Sequence, residues 1–301
     1  MLPEPLNTLK KKPILSLYLA GAVLLLVGGW LWCFKVSIAP ERVFWGTIAQ
    51  SLSTRAVTIQ AEQSNGSASL HQTVQYSLGA SNQSHSLTKV KQGNTTIVNE
   101  LVGTPKADYT RYVSVHTDQK GKNGKTLDFS NILGVWAKGD PGNAQLFSQG
   151  VLGIGLPLGG VAVPIGNFQP NARAKLLQEI KDDVVYQTDF KKAKAKHEHG
   201  RLLYIYDVSV QPVAYATLMQ RFAQSTGLHD LDSLDPAEFK GQQATQMRLT
   251  VDARAHRLVT AEVVATGARQ TYSSYDIPST FSVPKKAISV QELQTRLSHL
   301  Q

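Results

Sequence analysis

The most suggestive ligand cluster in this sequence is His197-Glu198-His199. Two histidines at i and i+2 on a strand face the same side, and with a third ligand they would bind zinc. They follow the run Lys191-Lys192-Ala193-Lys194-Ala195-Lys196, whose positive charge opposes a bound cation, and they close no ligand set. A solvated polar turn spanning Lys191 to Gly200 is the expected structure there. Asp230, Asp232, Asp235 and Glu238 lack the glycine and spacing of a calcium loop, and helix capping accounts for Asp235 and Glu238. The sequence has no G-x-S-x-G elbow, no H-E-x-x-H, no Walker loop and no G-x-G-x-x-G after a strand. Gly153-Ile154-Gly155 runs into Leu156-Pro157, and that proline argues against a phosphate-cradling helix start. The single cysteine, Cys33, lies in an apolar run, so neither thiol chemistry nor disulfides are expected beyond it. No catalytic activity, cofactor or metal is expected.

The elements that position the rest begin with that apolar run. Residues 14 to 34 contain no charge, and as a helix they would cover roughly 31 Å, the thickness of a bilayer's hydrocarbon core. Lys10, Lys11 and Lys12 precede it and Trp30, Trp32 and Phe34 close it, which places the N-terminus in the cytoplasm. A cleaved signal peptide would have a shorter core, and Pro40 follows the best small-residue site, Ser37-Ile38-Ala39. Trp32 before Cys33 excludes a lipoprotein signal. The expected layout is a cytoplasmic tail (1–13), a transmembrane helix (14–34), a linker (35–40) and an extracytoplasmic domain (41–301) of a single-pass membrane protein.

Of the net charge of +9, three lysines and one glutamate precede residue 35, leaving +7 beyond it. Such a surface favours anionic partners: lipid headgroups of the bilayer, wall polymers or acidic surface proteins. Nucleic acid is not an expected partner, because the basic residues are scattered and the domain faces away from the cytoplasm. Sequons at Asn65, Asn82 and Asn94 matter only in a host that glycosylates.

Pro40-Glu41 opens a helix with Phe44, Ile48 and Leu52 on one face. Alternating strands follow around Val57-Ile59-Ala61, Val74-Tyr76-Leu78 and Tyr109-Arg111-Val113-Val115, separated by turn clusters such as Gly93-Asn94. Residues 139–170 are rich in glycine and proline yet apolar, so they should pack on a core, line a pocket or touch the bilayer. Helices are expected over 172–181 and 211–226, with Pro212 in the first turn of the second. Strands are expected over 184–190, 201–210, 245–251, 257–265 and 269–275, with Phe281-Ser282-Val283-Pro284 closing the sheet. Ser289 and Glu292 form a capping box before a last helix.

This order, with Leu249-Thr250-Val251-Asp252, Leu258-Val259, Tyr272-Ser273-Ser274-Tyr275-Asp276, Phe281-Ser282-Val283-Pro284 and the Tyr204–Val208 strand before the Pro212 helix, resembles LolA/LppX-like bacterial envelope proteins. The resemblance implies an α+β fold: a curved antiparallel half-barrel wrapped over helices, carrying lipid or acyl chains in its concave face. The membrane helix is a departure from that family and confines such a module to its own membrane. The reading that follows is a tethered module holding a lipid or amphiphilic ligand, lined by Phe44, Ile48, Phe147, Leu152, Ile154, Leu156, Val161 and Phe168. The alternative is a non-enzymatic surface interaction protein with a packed interior.

Overall fold

Pro40 sits in the first turn of the first described helix, where its missing N–H goes unused, and Glu41 beside it suits the positive end of the dipole. This helix, α1 (Pro40–Ser51), buries Val43, Phe44, Thr47 and Ile48 along one stripe. The computed structural model describes residues 38–78, 82–104, 107–121, 124–139, 163–226, 234–277, 279 and 281–299. The apolar run 14–34 and the segment 140–162 lie outside the described residues. No described helix is long and apolar enough to cross a membrane.

After α1 come β1 (Ala56–Asn65), β2 (Ala68–Ser77), β3 (Gln83–Gln92), β4 (Thr95–Thr104), β5 (Ala107–His116) and β6 (Ala137–Lys138). Helix α2 (Pro170–Asp182) then leads to β7 (Tyr186–Thr188), a 3-10 turn (Phe190–Lys192), β8 (Lys194–Glu198) and β9 (Arg201–Val210). Next are α3 (Pro212–Thr226), β10 (Thr245–Asp252), β11 (Arg257–Val263), β12 (Arg269–Ser273), β13 (Ile288–Ser289) and α4 (Val290–Ser298). Among the described residues the thirteen strands form one open, curved sheet in the order β13-β6-β5-β4-β3-β2-β1-β12-β11-β10-β9-β7, with β8 also pairing β9. Every pairing is antiparallel except that of β6 with β13. The fold is α+β, and β1 is its hinge point: it bonds β2 on one side and β12 on the other.

The two halves of the sheet are covered differently. Over β1 and β9–β12, helices α1, α2 and α3 press Phe44, Ile48, Ile180, Leu218 and Phe222 onto Ile59, Tyr206, Val208, Leu249 and Tyr272 in one apolar cluster. The Tyr206 hydroxyl donates to the Pro40 carbonyl at 2.8 Å and ties α1 to the sheet. Helix α2 ends in a Schellman motif: Val184 N donates to Lys181 O at 3.1 Å and Val185 N to Ile180 O at 3.1 Å. Val184, at φ +51°, fills the left-handed position where glycine is usual. The far wing, β3 to β6, carries instead a small separate cluster at its β5–β6 edge, in which Leu293 of α4 meets Ile132 and Ala137 and Tyr112 of β5 packs against them.

Several expectations change. The second half of the lysine-rich stretch is a strand: β8 pairs residue for residue with β9 from Lys194↔Ile205 to Glu198↔Arg201, while Lys191-Lys192 end a 3-10 turn and His199-Gly200 form the hairpin turn. Residues 281–284 form no strand; the edge of the sheet on that side is β13. The alternation from Tyr109 to Val115 breaks at a bulge opposite Val98/Asn99, so Arg111 opposes Glu100 while Val115 opposes Ile97 on the other face. The strand expected over 184–190 shrinks to Tyr186–Thr188, since the Schellman turn and the 3-10 turn occupy its ends. The other helices and strands fall within a few residues of their expected spans, and Ser289 Oγ accepts from Glu292 N at 3.0 Å as the capping box requires.

Candidate functional site

Strand pleating fixes which side chains meet on the wing. The register places Leu70, Val90, Ile97 and Val115 in one cross-strand row on the helix-covered face. The adjacent row is polar: Gln72, Thr88, Asn99 and Tyr112. Gln72 Nε2 donates to Ser86 Oγ at 3.0 Å, while Gln72 Oε1 and Asn99 Oδ1 are buried with no hydrogen-bond partner among the described residues. At the end of this face a cavity of about 650 Å³ opens between β4, β5, the loop after β5 and α4. Ile97, Val115, Leu127, Phe129 and Leu297 give it apolar walls, and Thr117, Gln119, Lys120, Gln294 and Ser298 bring polar groups to it.

The cavity's walls are held by local bonds. The Phe129 carbonyl accepts from Ile132 N at 3.0 Å and Leu133 N at 3.1 Å, which turns the loop back onto the sheet. Arg296 of α4 donates from Nη1 to the Asn131 carbonyl at 3.0 Å and from Nη2 to Glu292 at 2.6 Å. The Arg296–Asn131 bond ties the helix to the loop.

The opposite face of the same strands carries a charged cluster. Glu100, 17 % exposed, accepts from Arg111 Nε at 2.6 Å and also meets Arg111 Nη2. Its other oxygen lies 2.8 Å from His85 Nε2. The Arg111 guanidinium lies 4.7 Å from the Trp136 ring centre, and the His85 ring stacks on Phe281 at 5.6 Å. These groups and residues 282–285 enclose a cavity of about 510 Å³. Burial would raise the Glu100 carboxyl, but the donors from His85 and Arg111 outweigh it and hold the group below the usual carboxylate range. An acid held ionised this way is a poor proton donor. What the cluster does is clamp three strands and the C-terminal segment together.

No family model matches the chain, and no curated protein matches its sequence.

Phe44 and Ile48, expected to line a cavity, are each 1 % exposed in the main core and line neither cavity. Four rings surround Phe44: Trp45, Tyr186, Phe190 and Tyr206, at 5.1 to 6.2 Å. Phe168 packs edge-on to Phe222 at 5.2 Å. Phe147, Leu152, Ile154, Leu156 and Val161 lie outside the described residues. His197 faces Leu202 across the β8–β9 pair, and Glu198 is bound by Lys196 at 3.1 Å. Asp235 caps a 3-10 turn by accepting from Ala237 N at 2.8 Å, while Asp230 and Asp232 lie outside the described residues. Ile97, Val115, Phe129 and Leu297 were not among the expected site residues. Leu297 carried a signal, the amphipathic last helix; the others become neighbours only through the bulge and the fold of the loop.

Proposed function

We propose that this chain is a membrane-anchored, extracytoplasmic, non-catalytic module that holds a lipid or another amphiphile against a curved, half-barrel-like sheet, as the resemblance to LolA/LppX-like proteins implies. The uncharged run 14–34, with lysines before it and aromatics at its end, supports the anchor and the orientation. The observation that carries the binding reading is the cavity of about 650 Å³ at the wing's end. That volume falls in the usual range for small-ligand sites, which are mostly apolar with a few placed polar groups. Its apolar walls suit an acyl or other hydrocarbon chain, and Lys120 with Gln119 and Gln294 suits a polar or anionic head.

The test is native mass spectrometry of the full chain, released gently from membranes. A reproducible lipid adduct, lost in Leu297→Arg or Ile97→Arg while the unfolding midpoint holds, supports the reading. A bare mass, unchanged after incubation with membrane extract, refutes it and turns attention to protein or wall-polymer partners.

A further inference from the structure

We infer that the lysine-rich β8–β9 hairpin and the turn leading into it rest on anionic headgroups of the bilayer that holds the anchor, an inference that depends on the anchor reading above. The placement comes from α1. Phe190, in the 3-10 turn before β8, packs its ring 5.5 Å from Phe44 and 6.5 Å from Trp45. Lys181 Nζ lies 5.1 Å from the Trp45 ring centre. Tyr206, whose hydroxyl holds Pro40, follows Ile205, the partner of Lys194. The base of the hairpin is thus fixed beside the first turns of α1.

The chain limits how far that point can stand from the membrane. Phe34 ends the apolar run, and from Phe34 to Ala39 the backbone reaches at most roughly 18 Å even when fully extended. A basic hairpin fixed to α1 is therefore held within reach of the headgroups. From Asp189 to Arg201 there are four lysines and one arginine against Asp189 and Glu198, a net charge of +3 with histidines neutral. Lys192 pairs with Asp189 at 3.3 Å and Lys196 with Glu198 at 3.1 Å, and Lys191 and Lys194 are exposed. Lys194 and Lys196 point to one side of β8, as alternate residues of a strand must. Exposed Arg42 and Glu41 of α1 cancel each other. Each basic residue at an anionic surface shifts the balance about five-fold, so a net +3 favours the docked orientation on the order of a hundred-fold at low salt.

Lysines on an edge strand also discourage strand-to-strand aggregation. Charge reversal separates the two roles, because glutamates protect an edge as well as lysines do. The full chain in a Cys33→Ser, Ala195→Cys background, labelled at 195 with a fluorophore, is reconstituted in two kinds of vesicle. One is phosphatidylcholine; the other adds phosphatidylglycerol at one part in three, and both carry a headgroup-nitroxide lipid as quencher. The expected result is several-fold stronger quenching in the anionic vesicles, lost in 0.5 M salt and in the Lys191, Lys192, Lys194, Lys196→Glu variant while that variant stays monomeric. Equal quenching in both vesicles, from a chain that resists alkaline carbonate, overturns the docking and leaves the anchor standing. A chain that carbonate extracts overturns both.

Discussion

Glu100→Gln tests whether the outer-face clamp stabilises the wing or merely decorates it. Glutamine keeps the volume and an acceptor but removes the charge that Arg111 and His85 hold. Arg111 approaches the carboxylate through both Nε and Nη2, and His85 completes the set at 2.8 Å. Hydrogen bonds to charged groups contribute about 1.5–3 kcal/mol net, and Glu100 at 17 % exposure is shielded enough for that range to apply. Arg111 itself, 33 % exposed, regains some water when its partner is lost, which favours the lower half of the range. The expected cost at pH 7 is about 2 kcal/mol, or a fall in Tm of about 4–8 °C for a domain of this size.

The same residue predicts a pH signature. Its carboxyl titrates below the usual range when folded, so the unfolded chain binds more protons in acid. The stability from Glu100 is fully present above the ordinary glutamate value near 4.5 and is lost as pH falls through the lower folded value. Glutamine does not titrate, so the gap between wild type and Glu100→Gln should narrow steadily from pH 5 to pH 3. Urea unfolding of the full chain, followed by circular dichroism across that interval, reads it directly. A gap below about 0.5 kcal/mol at pH 7 would mean the trio behaves as an ordinary exposed ion pair. A gap that persists undiminished at pH 3 would refute the charge-based account, and a double-mutant cycle with Arg111→Met should return a coupling of about 1–2 kcal/mol if it is right.

Two further predictions concern the backbone around the main core. Val184→Gly should raise stability by about 0.5–1 kcal/mol, because it removes a β-branched side chain from the left-handed position that ends α2; an unchanged or lower unfolding midpoint would contradict it. Gly46→Ala should destabilise despite alanine's better helix propensity, since a Cβ there meets the His256 ring. In a His256→Ala background the same substitution should become stabilising by about 0.5–1 kcal/mol, and equal effects in both backgrounds would show that the ring moves aside freely.

What could be read in advance follows the distribution of apolar residues. Helix α1 and strands β1, β2 and β10–β12 were legible because Phe44, Ile48, Ile59, Val74, Tyr76, Leu249 and Tyr272 recur at the period of their element. Strands β3 and β4 were not named: the buried face of β3 carries Ser84, Ser86 and Thr88, so no hydrophobic alternation announces it. Strand β8 read as a turn for the same reason, since its lysines face water and only its pairing with β9 makes it a strand. The cavity was the least legible part. It depends on a one-residue bulge that moves Val115 to the inner face, and on α4 closing against a loop with no periodic signal.

The two apolar clusters share no residue, and on the proposed binding reading that separation sets where a ligand would sit. In the main cluster, Phe44 is enclosed by four aromatic rings and Phe222 is fully buried against Phe168 and Gly166. A guest there would have to displace side chains at the cost of about 1–3 kcal/mol or more for each overpacked position. The wing is different: its small cluster is built on Ile132, Ala137 and Leu293, and Ile97, Val115 and Phe129 are only partly covered. Filling that cavity buries apolar surface without disturbing the three-helix core. Ligand binding and global stability should therefore respond to different residues. Leu297→Arg should abolish the adduct with little change in the main unfolding transition, whereas Phe222→Ala should lower that transition by about 3–5 kcal/mol and leave the cavity intact in the folded fraction.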